Sequence, residues 1–106
     1  MAYSKKEQFK DPDIKISRFA KALAHPARVA VLKILFERGT CICGDFVEAL
    51  PLSQSTVSQH LNELKGAGIV NSRIDGPRVA YTIDDRNWAL AKHHLGGFFN
   101  RLGTAA

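Results

Sequence analysis

Apolar residues recur at a helical period along the first part of the chain. Between residues 14 and 23 they are Ile16, Phe19, Ala20 and Leu23. Pro26 is tolerated at the first position of a helix, and the segment from there to Gly39 is apolar on nearly every side. We therefore predict two helices, and we expect the second to be the central helix of the core.

Two further helical segments follow, separated by a tight break. The stretch CGDFVEAL predicts a short helix, and the stretch after Ser53 places Val57, Leu61 and Leu64 on one face. Ser53 is a suitable N-cap, because its hydroxyl can accept a hydrogen bond from a free backbone amide. Two helices joined by so short a turn predict a helix-turn-helix.

The apolar period then changes from that of helices to that of strands. The stretches IVNSRID and RVAYTI alternate, and the Asp-Gly-Pro turn signal between them predicts a β-hairpin. A last helix, starting at Asp84 or Asp85, carries an aromatic and apolar stripe made of Trp88, Leu95, Phe98 and Phe99. The predicted fold is mainly α with a small β-hairpin, as one domain over residues 14–106 after a flexible arm over residues 1–13.

Composition adds a partner class and a location to this picture. The 106 residues carry a formal net charge of +5, and a small basic domain favours an acidic partner such as nucleic acid. No apolar run approaches the roughly 18 residues that a membrane span needs, and the N-terminus lacks an apolar signal core. We therefore expect a cytoplasmic protein without a membrane partner.

The polar face of the helix after Ser53 has an unusual composition. Serine, threonine and asparagine form helices poorly, and a merely solvated face would favour Glu, Lys and Ala. Short donor and acceptor side chains suit base edges in a DNA major groove. The candidate DNA-contacting residues are Ser53, Gln54, Ser55, Thr56, Ser58, Gln59 and His60 on this helix, with Arg73 and Arg78 on the hairpin.

Roles within this set differ. We expect Ser55, Ser58 and Gln59 to contact bases, because glutamine pairs with adenine and serine reaches several base edges. Arg73 and Arg78 flank the hairpin tip, where they would reach phosphates or a minor groove. His60 is open between a phosphate contact and packing.

Three stretches, LAHPARVAVLKIL, SQSTVSQHLNELKGAGIV and GPRVAYTI, resemble the ArsR/SmtB family of bacterial transcriptional repressors. The resemblance extends over about residues 16–102. It implies a winged helix-turn-helix that forms a homodimer through its first and last helices and binds double-stranded operator DNA. It also implies release from the operator when an inducer binds, often a metal or metalloid ion.

The only two cysteines, Cys41 and Cys43, stand where arsenic and cadmium/lead sensors of that family carry a similar Cys-x-Cys. Thiolates bind As(III) and other soft ions, and a helix N-terminus would lower the pKa of a thiol. A third ligand would have to be Asp45, a histidine, water or an external thiol. DNA binding itself is expected to need no cofactor.

Other interpretations of these residues stay open. The cysteine pair would also suit a sensor of oxidants or electrophiles, or a structural role, since cysteine packs well in cores. The family's second metal motif is not matched by the spacing of Asp84, Asp85, His93 and His94. A thiol redox enzyme and a winged-helix module that binds protein or RNA are the competing classes. We predict a DNA-binding regulator and not an enzyme.

Overall fold

A computed structural model describes residues 8–103 of the chain. Its elements are α1 (Asp11–Ala22), α2 (Pro26–Arg38), β1 (Thr40–Ile42), α3 (Cys43–Ala49), α4 (Gln54–Gly66), β2 (Val70–Asp75), β3 (Arg78–Ile83) and α5 (Asp85–Arg101). Helices dominate, and the strands form one small antiparallel sheet. The mainly α class and the helix-turn-helix followed by a hairpin are thereby confirmed.

Local chemistry explains where the helices begin and end. His25 accepts a hydrogen bond from the backbone N–H of Ala27 at the start of α2, and Ser53 and Asp84 cap α4 and α5 in the same way. Each cap satisfies an amide that the first helical turn leaves free. Gly39 ends α2 with φ of +84°, a conformation that glycine adopts without steric cost.

The hairpin is as predicted, and one strand beside it was missed. β2 and β3 pair antiparallel across a two-residue turn of Gly76 and Pro77, and β1 pairs with the other edge of β3. Gly76 has φ of +63°, as tight hairpin turns require. Because β1 is only three residues long, it leaves no alternation that periodicity can detect.

A single buried cluster joins the helices to the sheet. Val57, Leu61 and Leu64 of α4 are fully buried, as predicted from their spacing. α2 contributes Val31, Leu32 and Leu35 to this cluster, as expected of the central core helix. Val29 and Phe36 remain exposed and line an open apolar groove beside Trp88, so residues 8–103 leave one face of α2 uncovered.

The boundary of the expected N-terminal arm also needs correction. α1 begins at Asp11 and not after residue 13, with Pro12 in its first turn. Proline at this position removes no helical hydrogen bond, and Asp11 and Asp13 favour a helix start through the helix dipole. Residues 1–7 of the expected arm lie outside the described residues.

Among residues 8–103, no helix combines the length and the apolar character needed to cross a membrane.

Candidate nucleic-acid interface and cysteine pair

A cluster of hydroxyls organises the first turn of α4. The Ser53 hydroxyl accepts from the backbone N–H of Thr56 at 3.3 Å and donates to the Thr56 hydroxyl at 2.9 Å. The hydroxyl oxygen of Ser55 lies 3.2 Å from the hydroxyl oxygen of Ser53. Ser53 and Thr56 are therefore partly engaged in capping, which explains two of the short polar residues without any ligand.

The outward face of α4 is polar and accessible. Gln54, Ser55, Gln59 and Asn62 are exposed, and Ser58 is half-buried at the edge of the same face. This face lies opposite the buried stripe of Val57, Leu61 and Leu64. The structure therefore brings the three predicted base-contacting residues, Ser55, Ser58 and Gln59, onto one side of the helix.

His60 does not belong to this exposed face. It is only 8% exposed, its Nδ1 accepts a hydrogen bond from Nε of Arg28 at 3.3 Å, and its ring lies 4.5 Å from that of His25. Burial, with smaller contributions from His25 and Arg28, lowers the pKa of His60. Of the two alternatives for His60, the structure favours packing over a phosphate contact, because its side chain is buried and joins α4 to α2.

The hairpin presents its predicted arginines next to an apolar pair. Arg73 and Arg78 are exposed, and between them Ile74 pairs with Val79 across the strands. Ile74 is 85% exposed. An exposed apolar pair between two arginines gives the hairpin tip the combination of charge and apolar surface found on proteins that enter a minor groove.

One cleft joins the hairpin to α4. Its volume is about 340 Å³, and its walls include Gln54 and Ser58 of α4 and Arg78 of the hairpin. Tyr81 and Cys43 also line it. Arg73 is not among its lining residues. Tyr81 was predicted only as a strand residue, and the pairing of β1 with β3, which sets Tyr81 opposite Cys41, brings it next to the cysteine segment.

The two cysteines occupy different environments. Cys41 lies in β1 and is 1% exposed, and burial, together with the charge of Asp45, raises the pKa of its thiol. The expectation of a lowered thiol pKa is therefore wrong for Cys41. Cys43 is the first residue of α3 and is half-buried, with Sγ 3.6 Å from Oγ of Ser58 and 3.8 Å from the carbonyl oxygen of Gln54.

The third candidate ligand, Asp45, has a structural partner. Its carboxylate accepts a hydrogen bond from the backbone N–H of Ile42 at 2.9 Å, which stabilises the start of α3. Within residues 8–103, no group of three or more His, Cys, Asp and Glu residues is arranged to hold a metal ion. In this conformation Cys41, Cys43 and Asp45 thus do not fit a site of three protein ligands.

Comparison with known proteins agrees with this geometry. Residues 25–72 match the model of the family described as "Bacterial regulatory protein, arsR family". An HTH-type transcriptional regulator of Methanocaldococcus jannaschii is 42% identical over 74 residues, which are 68% of this chain and 82% of the relative.

Solved structures give the same result. A "Possible transcriptional regulator for arsenical resistance" superposes with a TM-score of 0.70 and 29% identity, over 81% of this chain and 93% of that one. A homodimeric winged helix-turn-helix DNA-binding domain from Mycobacterium bovis gives a TM-score of 0.65 and 26% identity, over 87% and 85%.

The thiol environments predict unequal reactivity. Cys43 should react with a thiol reagent at neutral pH faster than Cys41, because burial raises the pKa of the Cys41 thiol and shields its sulfur from the reagent. Mass spectrometry of timed samples measures both rates. In urea the two rates should converge, and equal rates in the folded protein would contradict the assigned environments.

Proposed function

Because the chain belongs to the arsR family of bacterial regulatory proteins and is a winged-helix transcriptional regulator, we propose that it is a homodimeric repressor that binds operator DNA. The observation that carries the proposal is the single cleft lined by Gln54 and Ser58 of α4 and by Arg78 of the hairpin. A helix in the major groove and a hairpin on the adjacent backbone need this juxtaposition. Such a protein acts in the cytoplasm, where the DNA is.

The two elements have different tasks on DNA. α4 enters the major groove, where Ser55, Ser58 and Gln59 contact base edges by hydrogen bonds. Arg73 and Arg78 contact phosphates, which fix the position of the protein but carry no sequence information. The net charge of +5 supports this binding, since cationic side chains gain affinity by releasing counterions from DNA.

Exposed apolar residues support the homodimer. α1 packs against α5 within the protomer, yet large apolar side chains of α5 and of its C-cap remain accessible: Leu90, Phe98, Phe99 and Leu102. Phe99 alone is 67% exposed. Monomeric proteins seldom expose so many apolar residues on one element, and a second protomer would cover them. Two protomers would then place their α4 helices in successive major grooves.

Release by an inducer is the finer part of the proposal. The chain resembles a solved protein described in terms of arsenical resistance, and thiolates are preferred ligands of As(III). Cys43 supports a link to DNA binding because its thiol contacts Ser58 on α4. The remaining ligands would come from a rearranged Cys41 or from an external thiol. Oxidation of the same thiol is the alternative.

Arg78 provides the test of the hairpin contact. Arg78→Ala should weaken binding to operator and to unrelated duplexes alike, and lower the slope of log affinity against log salt by about one. Fluorescence anisotropy over a range of salt concentrations measures this slope. Arg86→Ala, an exposed arginine on α5 beyond the base of the hairpin, is the matched control and should leave the slope unchanged.

Gln59→Ala is the contrasting variant, because a base contact carries sequence information. It should lose about 1–3 kcal/mol on the operator, with little loss on unrelated DNA. A uniform loss for Gln59→Ala, or a selective loss for Arg78→Ala, would overturn the assigned roles.

Arsenite tests the inducer. As(III) should release the reduced wild-type protein from its operator, and Cys43→Ser should retain operator binding but lose release. Cys41→Ser carries the same expectation, although it buries a hydroxyl in the core, which costs stability. If As(III) still releases both variants from the operator, the inducer site does not include these cysteines. If only an oxidant releases the wild type from the operator, oxidation of the thiol is favoured over As(III) binding.

A further inference from the structure

His60 connects the middle of α4 to the start of α2. Its Nδ1 accepts from Nε of Arg28, and its ring lies 4.5 Å from the ring of His25, the N-cap of α2. His60 directly follows Gln59, and it is the one polar residue among the buried residues of the described chain. The side chain of His60 is therefore one of the contacts that position the turn of α4 next to the proposed base-contacting residues.

Arg28 is held in place from its other side. Its Nη1 donates to the carbonyl oxygen of Lys21 at 3.2 Å, so the guanidinium links α1, α2 and α4. An arginine has no acceptor and stays protonated, which leaves His60 Nδ1 as the obligatory acceptor. The hydrogen bond therefore requires an imidazole without a proton on Nδ1, that is, the neutral form.

The titratable and charged groups around His60 come from three elements. Arg28 of α2 and His25, the N-cap of α2, face it, and Glu63 lies one turn further along α4. Arg18 and Lys21 of α1 line the adjacent cleft together with Arg28 and Glu63. A proton on Nδ1 would point at the guanidinium of Arg28 beside a second histidine, with only Glu63 to offset the repulsion.

The direction of titration follows from this environment. Burial, with smaller contributions from the neighbouring His25 and Arg28, holds the pKa of His60 below its usual value of 6.5 in the folded protein. The unfolded chain therefore binds the proton first as pH falls. The stability that neutral His60 contributes is fully present above pH 6.5, and it is lost as pH falls from there through the lower folded pKa.

We propose that His60 is a positioning residue that holds α4 against α2 only while its imidazole is neutral, so that operator affinity falls on mild acidification. This inference rests on the proposed DNA-binding function. The direction of the expected pH dependence distinguishes His60 from exposed histidines. Protonation of exposed histidines adds positive charge and strengthens binding to a polyanion, whereas protonation of His60 breaks the contact that orients the binding helix.

The test is operator affinity against pH, measured by fluorescence anisotropy between pH 7.5 and 5.5. Wild-type affinity should fall once the pH drops below 6.5, because protonation of His60 then opposes the arrangement of α4 that binds DNA. His60→Asn keeps an acceptor near the position of Nδ1 but cannot titrate, so the fall should be absent. His93→Asn, which removes an exposed histidine on α5, is the matched control and should retain it.

Two results would overturn the inference: wild-type affinity that is constant or rises on acidification, or the same fall in His60→Asn. Should His60→Asn not fold, His60→Gln replaces it. If the wild type binds no operator even at pH 7.5, the proposed function has failed. Urea unfolding without DNA then tests whether neutral His60 stabilises the folded protein. The wild type should lose more stability than the variant between pH 7.5 and 5.5, and equal losses would refute the role of His60.

Discussion

The docking of α4 on the rest of the domain is the interaction on which the whole structure depends. Val57, Leu61 and Leu64 are fully buried, and burying each such side chain stabilises the fold by about 1.5–3 kcal/mol. This stripe fixes the rotation of the helix, and the rotation decides which residues face outward. The cap at Ser53 fixes where the helix begins. The same buried side chains therefore determine both the packing of the core and which residues of α4 are presented on the proposed DNA-binding face.

The cysteine-bearing segment meets the proposed DNA-binding surface on the opposite side of α4. Cys43 contacts Ser58 and the backbone of Gln54, and the cleft between them extends to Arg78 of the hairpin. A chemical change at this thiol would act directly on the two elements proposed to hold DNA. Cys41, in the core, has no such access. Cys41 is thus a core residue, whereas Cys43 lies at the proposed DNA interface. The two cysteines are not equivalent, although a Cys-x-Cys metal site would use both as ligands.

Periodicity predicted most of the architecture, because helices and hairpins with one buried face have a regular spacing of apolar residues. It missed β1, whose three residues are too few to show a period. It identified α2 as a core helix but could not show that the apolar side chains of Val29 and Phe36 stay exposed. His60 was ambiguous because its fate depends on Arg28 and His25, which are distant in sequence from α4. The raised pKa of Cys41 likewise follows from tertiary burial, which no local motif encodes.

The most direct test of the central claim is selection of binding sites from a random duplex library by the purified reduced protein, followed by measurement of protomers bound per duplex. We expect an inverted repeat whose half-sites are centred about 10–10.5 base pairs apart or a multiple of that, occupied by two protomers. Enrichment of no sequence, or of a single asymmetric site bound by one protomer, would contradict a homodimer that recognises DNA through paired α4 helices.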